Sequence, residues 1–121
     1  MIERLNRVRA PYNVNRLAQV AAVAALEDRQ HWERTRQLVR QERAFLSGEL
    51  TRRGYSVVPS QANFVLVGVP AAAAVHEHFL KSGILVRDGE AVGFPDHLRI
   101  TVGSRAQNQR LLDLLDQLRE R

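Results

Sequence analysis

At Gly54 the hydrophobic periodicity of this 121-residue chain changes from helical to extended, and that switch constrains the fold more than any other feature. Upstream, a helix is predicted over about 14–26, after the breakers Pro11 and Asn13. Its alanines (Ala18, Ala21, Ala22, Ala24 and Ala25) favour helix and permit close packing. A long second helix is predicted over about 29–53, with Trp32, Val39, Leu46 and Leu50 recurring near one face and Gly54 as its stop. Downstream, short β-branched runs at 55–58, 63–67, 84–87 and 98–102 read as strands. Between the second and third, Pro70 opens a helix through Val75, Phe79 and Leu80 that Gly83 closes. Ser104 and Gln107 form the capping-box pattern S-x-x-Q of a last helix, followed by Asn108, Leu111, Leu112, Leu115 and Leu118 at helical spacing. The order ααββαββα predicts an α+β fold: a small antiparallel or mixed sheet of three to four strands with helices packed on one face.

Composition bounds the function. The chain is 45% hydrophobic and 26% charged, as a globular domain is. No apolar run approaches the ~18 residues of a membrane span. With no cysteine there is no disulfide framework, thiol nucleophile or thiolate metal site. The N-terminus has no apolar signal region, so the cytoplasm is the default compartment. The net charge of +5 raises nucleic acid as a partner. The excess is modest, however, and lies in the N-terminal half. Between Glu27 and Arg53 both signs alternate at helical spacing, which reads as a solvated helix face. Neither nucleic acid nor membrane is expected.

Few residues carry chemistry. His31 stands alone, as does His97, and His76 and His78 lie two apart on a predicted helix, where they cannot share a metal. Arg87 and Arg99 are the notable pair, because each sits in a mainly apolar strand, ILVRD and HLRITVG. A guanidinium placed there needs an anionic partner. That partner is either a carboxylate of the chain (Asp88, Asp96 or Glu90) or a ligand carboxylate or phosphate, which the planar fork suits. Asn63 reads as a turn residue before its strand, and Asn13 or Asn15 as a helix N-cap beside Tyr12.

Four segments, in order, resemble the histidinol-phosphate aminotransferases: Arg9-Ala10-Pro11-Tyr12-Asn13-Val14-Asn15 with Leu17-Ala18-Gln19; Pro59-Ser60-Gln61-Ala62-Asn63-Phe64-Val65; Gly83-Ile84-Leu85-Val86-Arg87-Asp88; and Leu98-Arg99-Ile100-Thr101-Val102-Gly103-Ser104 with Asn108. A related phosphate-substrate decarboxylase shares part of the pattern. The resemblance implies the small, C-terminal domain of a fold type I pyridoxal-phosphate enzyme. That enzyme exchanges an amino group between L-histidinol phosphate and 2-oxoglutarate in histidine biosynthesis. It further implies that Arg99 binds the substrate α-carboxylate and Arg87 the substrate phosphate, and that the enzyme is a homodimer. Residues 1–16 would be the N-terminal arm and interdomain connection, and 17–121 a single α+β domain.

The resemblance also implies a lysine that holds pyridoxal phosphate as a Schiff base, carried by a large domain that this chain lacks. The only lysine, Lys81, lies before Ser82-Gly83 at a helix end, without that context. The chain is therefore expected to have no catalytic lysine, to bind no cofactor covalently and to be inactive alone. Exposed surface is expected to seek the missing large domain or a second copy. The alternatives are a free-standing module for an anionic amino acid or phosphate metabolite, and an interaction protein whose arginines are ion-paired.

Overall fold

A computed structural model describes residues 2–8, 14–90 and 93–119. The motif residues Arg9, Ala10, Pro11, Tyr12 and Asn13 lie outside the described residues. The chain divides into two compact units, Met1–Thr35 and Arg36–Arg121. Among the described residues five helices and four strands follow in the order α1 (Ile2–Val8), α2 (Arg16–Glu27), α3 (Arg29–Arg52), β1 (Ser56–Val58), β2 (Phe64–Gly68), α4 (Ala72–Lys81), β3 (Arg87–Asp88), β4 (His97–Thr101) and α5 (Arg105–Arg119).

The first unit holds α1, α2 and the start of α3. The short α1 was not anticipated; Glu3 in its first turn and Arg7 in its last complement the helix dipole. Asn15, not Asn13, caps α2: its Oδ1 accepts from the Ala18 N–H at 2.9 Å. No residue of α2 is buried, and Leu17, Val20, Val23 and Leu26 are all exposed.

In the second unit the strands form one antiparallel sheet in the order β1-β2-β4-β3. Strand alternation sorts the residues by face. Val65, Val67, Leu98 and Ile100 point to one side and are almost fully buried. There they pack with Leu46 and Leu50 of α3, Ala72 and Phe79 of α4, and Leu111, Leu112 and Leu115 of α5. The three helices thus cover one face, as the sequence predicts. Ser104 and Gln107 close the capping box in both directions, with the Ser104 N–H donating to Gln107 Oε1 at 2.8 Å and the Gln107 N–H to Ser104 Oγ at 3.4 Å. Arg53 ties the end of α3 to α5, donating from Nε to Asp116 Oδ1 at 2.9 Å and from Nη1 to Glu49 Oε2 at 2.6 Å. With Arg52 also donating to it, Glu49 has its carboxyl pulled down to about 2.

Two expectations change. The third strand is not 84–87 but only Arg87–Asp88, because the Ile84 N–H donates to Phe79 O at 2.8 Å and holds that stretch to α4 instead of the ladder. The 27–53 stretch is not wholly a solvated face: Glu42 shares the stripe of Leu46 and Leu50 and is only 5% exposed.

Candidate functional site

The sheet face opposite the helices carries Phe64, Leu66, Arg87, Arg99 and Thr101. Its register makes the site. Val58 pairs with Leu66, Leu66 with Arg99, and Arg99 with Arg87, so these four form one row across all four strands. The two arginines singled out in the sequence are therefore direct cross-strand neighbours on one face. Facing residues of an antiparallel pair lie about 4.5–5.5 Å apart, and like charges there are destabilising.

No carboxylate relieves the repulsion. Neither Arg87 nor Arg99 forms an ion pair with Asp88, Asp96 or Glu90 among the described residues. Asp88 instead accepts the Glu90 N–H at 3.0 Å, and Asp96 sits in a left-handed turn whose carbonyl accepts the Val69 N–H at 2.8 Å. Arg99 is steadied by packing: its Cζ lies 4.4 Å from the centroid of the Phe64 ring, a cation–π distance. Its Nε is buried with no hydrogen-bond partner. Arg87 is exposed. The cleft around them, about 430 Å³, is also lined by His76, Leu85, Val86, Asp88 and Thr101. A half-buried guanidinium with a free buried donor, beside a second guanidinium, is suited to one dianion or two successive monoanions.

Behind this face lies a polar contact that the sequence did not reveal. Glu42 of α3 accepts from Arg105 Nε at 3.0 and 3.1 Å and from Asn108 Nδ2 at 3.0 Å. Asn108 in turn accepts the Gly103 N–H at 3.0 Å and donates to Gly103 O at 3.1 Å. Arg105 also stacks on Phe45, its Cζ 3.6 Å from the ring centroid. The Arg105 guanidinium, against the opposing effect of burial, holds the Glu42 carboxyl below the ordinary carboxylate range. The turn leaving β4, the strand of Arg99, is thus pinned to α3. The i, i+4, i+8 placement of Glu42, Leu46 and Leu50 is the signal that could have exposed it.

No group of three or more histidine, cysteine or carboxylate side chains is arranged for a metal among the described residues. His97 Nδ1 lies 2.8 Å from Pro95 O, and Asn63 accepts the Val102 N–H through its carbonyl at 2.9 Å. Among the described residues no helix is long and apolar enough to cross a membrane.

Residues 1–115 match the family model of aminotransferase class I and II. The chain belongs to the class I and II aminotransferases. It is 46% identical over 114 residues to a histidinol-phosphate aminotransferase of Methylobacillus flagellatus, covering 94% of this chain and 31% of that protein. It superposes with a TM-score of 0.80 on a crystal structure from Burkholderia pseudomallei K96243 assigned to the aminotransferases, at 32% identity, covering 97% of this chain and 36% of that one. The fold is also that of the histidinol-phosphate aminotransferase of Sinorhizobium meliloti solved with pyridoxal-5'-phosphate (TM-score 0.74, 21% identity, 96% of this chain and 34% of that one). The chain spans about a third of the length of the curated relatives it matches.

The aminotransferase family implies pyridoxal phosphate, whose attachment requires a lysine facing the cleft. The residues present do not fit that role. Lys81 is the only lysine of the sequence, and its side chain is 73% exposed in the last turn of α4, with Nζ 2.8 Å from Glu77 Oε1. It does not line the Arg87–Arg99 cleft.

Proposed function

We propose that this chain is the C-terminal, substrate-anion-binding domain of a histidinol-phosphate aminotransferase. The observation that carries the reading is the cross-strand pair Arg99–Arg87, with Arg99 set on Phe64 and neither arginine ion-paired to a carboxylate among the described residues. A transaminase admits its two substrates in turn to one place, so a shared anion site is what the chemistry requires. Arg99 binds the α-carboxylate of glutamate and 2-oxoglutarate. Arg87, its neighbour, binds the phosphate of L-histidinol phosphate. The identities of 38–48% to histidinol-phosphate aminotransferases support this substrate class over other members of the family.

On this reading the cofactor lysine belongs to the large domain of such an enzyme, and the 121-residue chain does not transaminate by itself. Mixed with pyridoxal phosphate and reduced with borohydride, the purified chain is expected to show no stoichiometric mass adduct and, before reduction, no turnover of glutamate. A stoichiometric adduct on Lys81, or measurable turnover, would overturn it.

The exposed apolar side of α2 belongs to the same proposal. Leu17, Val20, Val23 and Leu26 form a stripe of the kind that drives association when left bare. The isolated chain is expected to self-associate with rising concentration in light scattering, and Val20→Glu/Val23→Glu to shift it toward monomer. A wild-type chain that stays monomeric would contradict this.

A further inference from the structure

A second basic feature lies in the Arg36–Arg121 unit, apart from the Arg87–Arg99 row. Arg36, Arg40 and Arg43 recur at i, i+4 and i+7 along α3, on one helical face. With Val39, Ala62 and Asn63 they line a groove of about 410 Å³ between α3 and the segment entering β2. Arg43 is held in place by neutral acceptors: Nη1 donates to Ala62 O at 2.7 Å, and Nη2 to Gln61 Oε1 at 3.2 Å. Neither contact cancels its charge. Arg36 and Arg40 form no ion pair among the described residues. Arg52, Arg53 and Arg105 are all bound to carboxylates, whereas no acid stands within the 36–40 stretch, Glu42 is turned into the core, and Glu33, three residues before Arg36, forms no ion pair with it among the described residues.

We infer that this groove is an anion site for a small phosphate-bearing molecule. Seven residues at 1.5 Å rise place the Cα atoms of Arg36 and Arg43 about 10 Å apart along the helix, within reach for their long side chains to converge, and a groove of about 410 Å³ is of small-molecule size. Three guanidinium forks outnumber what one carboxylate can accept, whereas phosphate oxygens accept several charge-assisted bonds at once. Val39, Ala62 and Asn63 complete the lining, so the groove offers apolar and neutral polar surface beside the three arginines. Repulsion between Arg36 and Arg40 at i, i+4 is relieved when an anion binds.

The test is calorimetric titration of pyrophosphate into the 121-residue chain carrying Arg87→Gln and Arg99→Gln, which silences the open sheet face. One site is expected to remain, and adding Arg36→Gln/Arg40→Gln is expected to weaken it by about tenfold or more. Four results would overturn the inference: no pyrophosphate binding in the Arg87→Gln/Arg99→Gln chain; undiminished affinity after Arg36→Gln/Arg40→Gln; an equal loss from Arg29→Gln/Arg34→Gln outside the groove; or tighter binding of citrate than of pyrophosphate. Loss of a site on Arg87→Gln/Arg99→Gln alone speaks to the open face and leaves the groove to be judged by the remaining site.

Discussion

Replacing Arg99 by glutamine is expected to weaken binding of 2-oxoglutarate to this chain by roughly 10–100-fold, while the melting temperature in anion-free buffer stays within a few degrees of wild type. Affinity and stability separate because the two charges that bind the ligand repel each other without it. Arg99 faces Arg87 across the β3–β4 pair, an arrangement that costs about 0.2–1 kcal/mol, and its packing on Phe64 returns a similar amount. Removing the guanidinium therefore relieves one interaction as it loses the other. An arginine whose purpose is a structural ion pair behaves oppositely: its loss lowers stability and leaves ligand binding untouched. Thermal melts with and without 2-oxoglutarate distinguish the two. The wild-type chain is expected to gain stability from the ligand, and Arg99→Gln to lose that gain.

The second large effect is expected at Glu42. Glu42→Ala removes the acceptor for both Arg105 and Asn108 and opens space beside Leu46, for a loss of about 2–4 kcal/mol in urea unfolding. Arg105 is 59% exposed and recovers water, and Asn108 keeps Gly103, so the loss falls short of a fully buried pair. The pH dependence has a definite sign. The folded carboxyl titrates below its ordinary 4.5, so its stabilisation is complete above that pH and drains away as the pH falls toward the lowered folded value. Glu49, drawn down to about 2 by Arg52 and Arg53, drains over the same acid range. The difference between wild type and Glu42→Gln is expected to be largest near pH 7 and to shrink on acidification toward pH 3. A difference that grows in acid would contradict the assignment.

Local signals carried most of the fold. The capping box at Ser104 and Gln107, and the leucines behind it, announce α5 in four residues of chemistry and a helical period. The alternation in 98–102 places Leu98 and Ile100 inward, which the structure keeps although the strand begins one residue earlier. The face of the candidate site was legible only in part. That Arg87 and Arg99 need anions follows from their apolar strands, but their lying opposite each other is a matter of register. That register is held beside the strand ends, by the Gly89 N–H to His97 O at 2.9 Å and the Phe94 N–H to Gly89 O at 2.9 Å. A loop's hydrogen bonds are not written in strand periodicity. Glu42 was hidden for a different reason: its partners Arg105 and Asn108 are 63 and 66 residues away, and on its own helix it reads as one more surface charge. The short α1 gives little signal because seven residues fall below the length at which a helical period can be told from chance.

The most direct measurement is an NMR titration of the 121-residue chain with L-histidinol phosphate, for Arg87, and separately with 2-oxoglutarate, for Arg99, following the arginine Nε–Hε signals assigned through Arg87→Gln and Arg99→Gln. Saturable shifts at Arg99 and Arg87, with the buried Arg99 Nε–H moving as it gains an acceptor, are the expected result. A titration that leaves both signals in place would contradict the account at its centre: the open face of the sheet would then not be where this domain takes its substrate's charge.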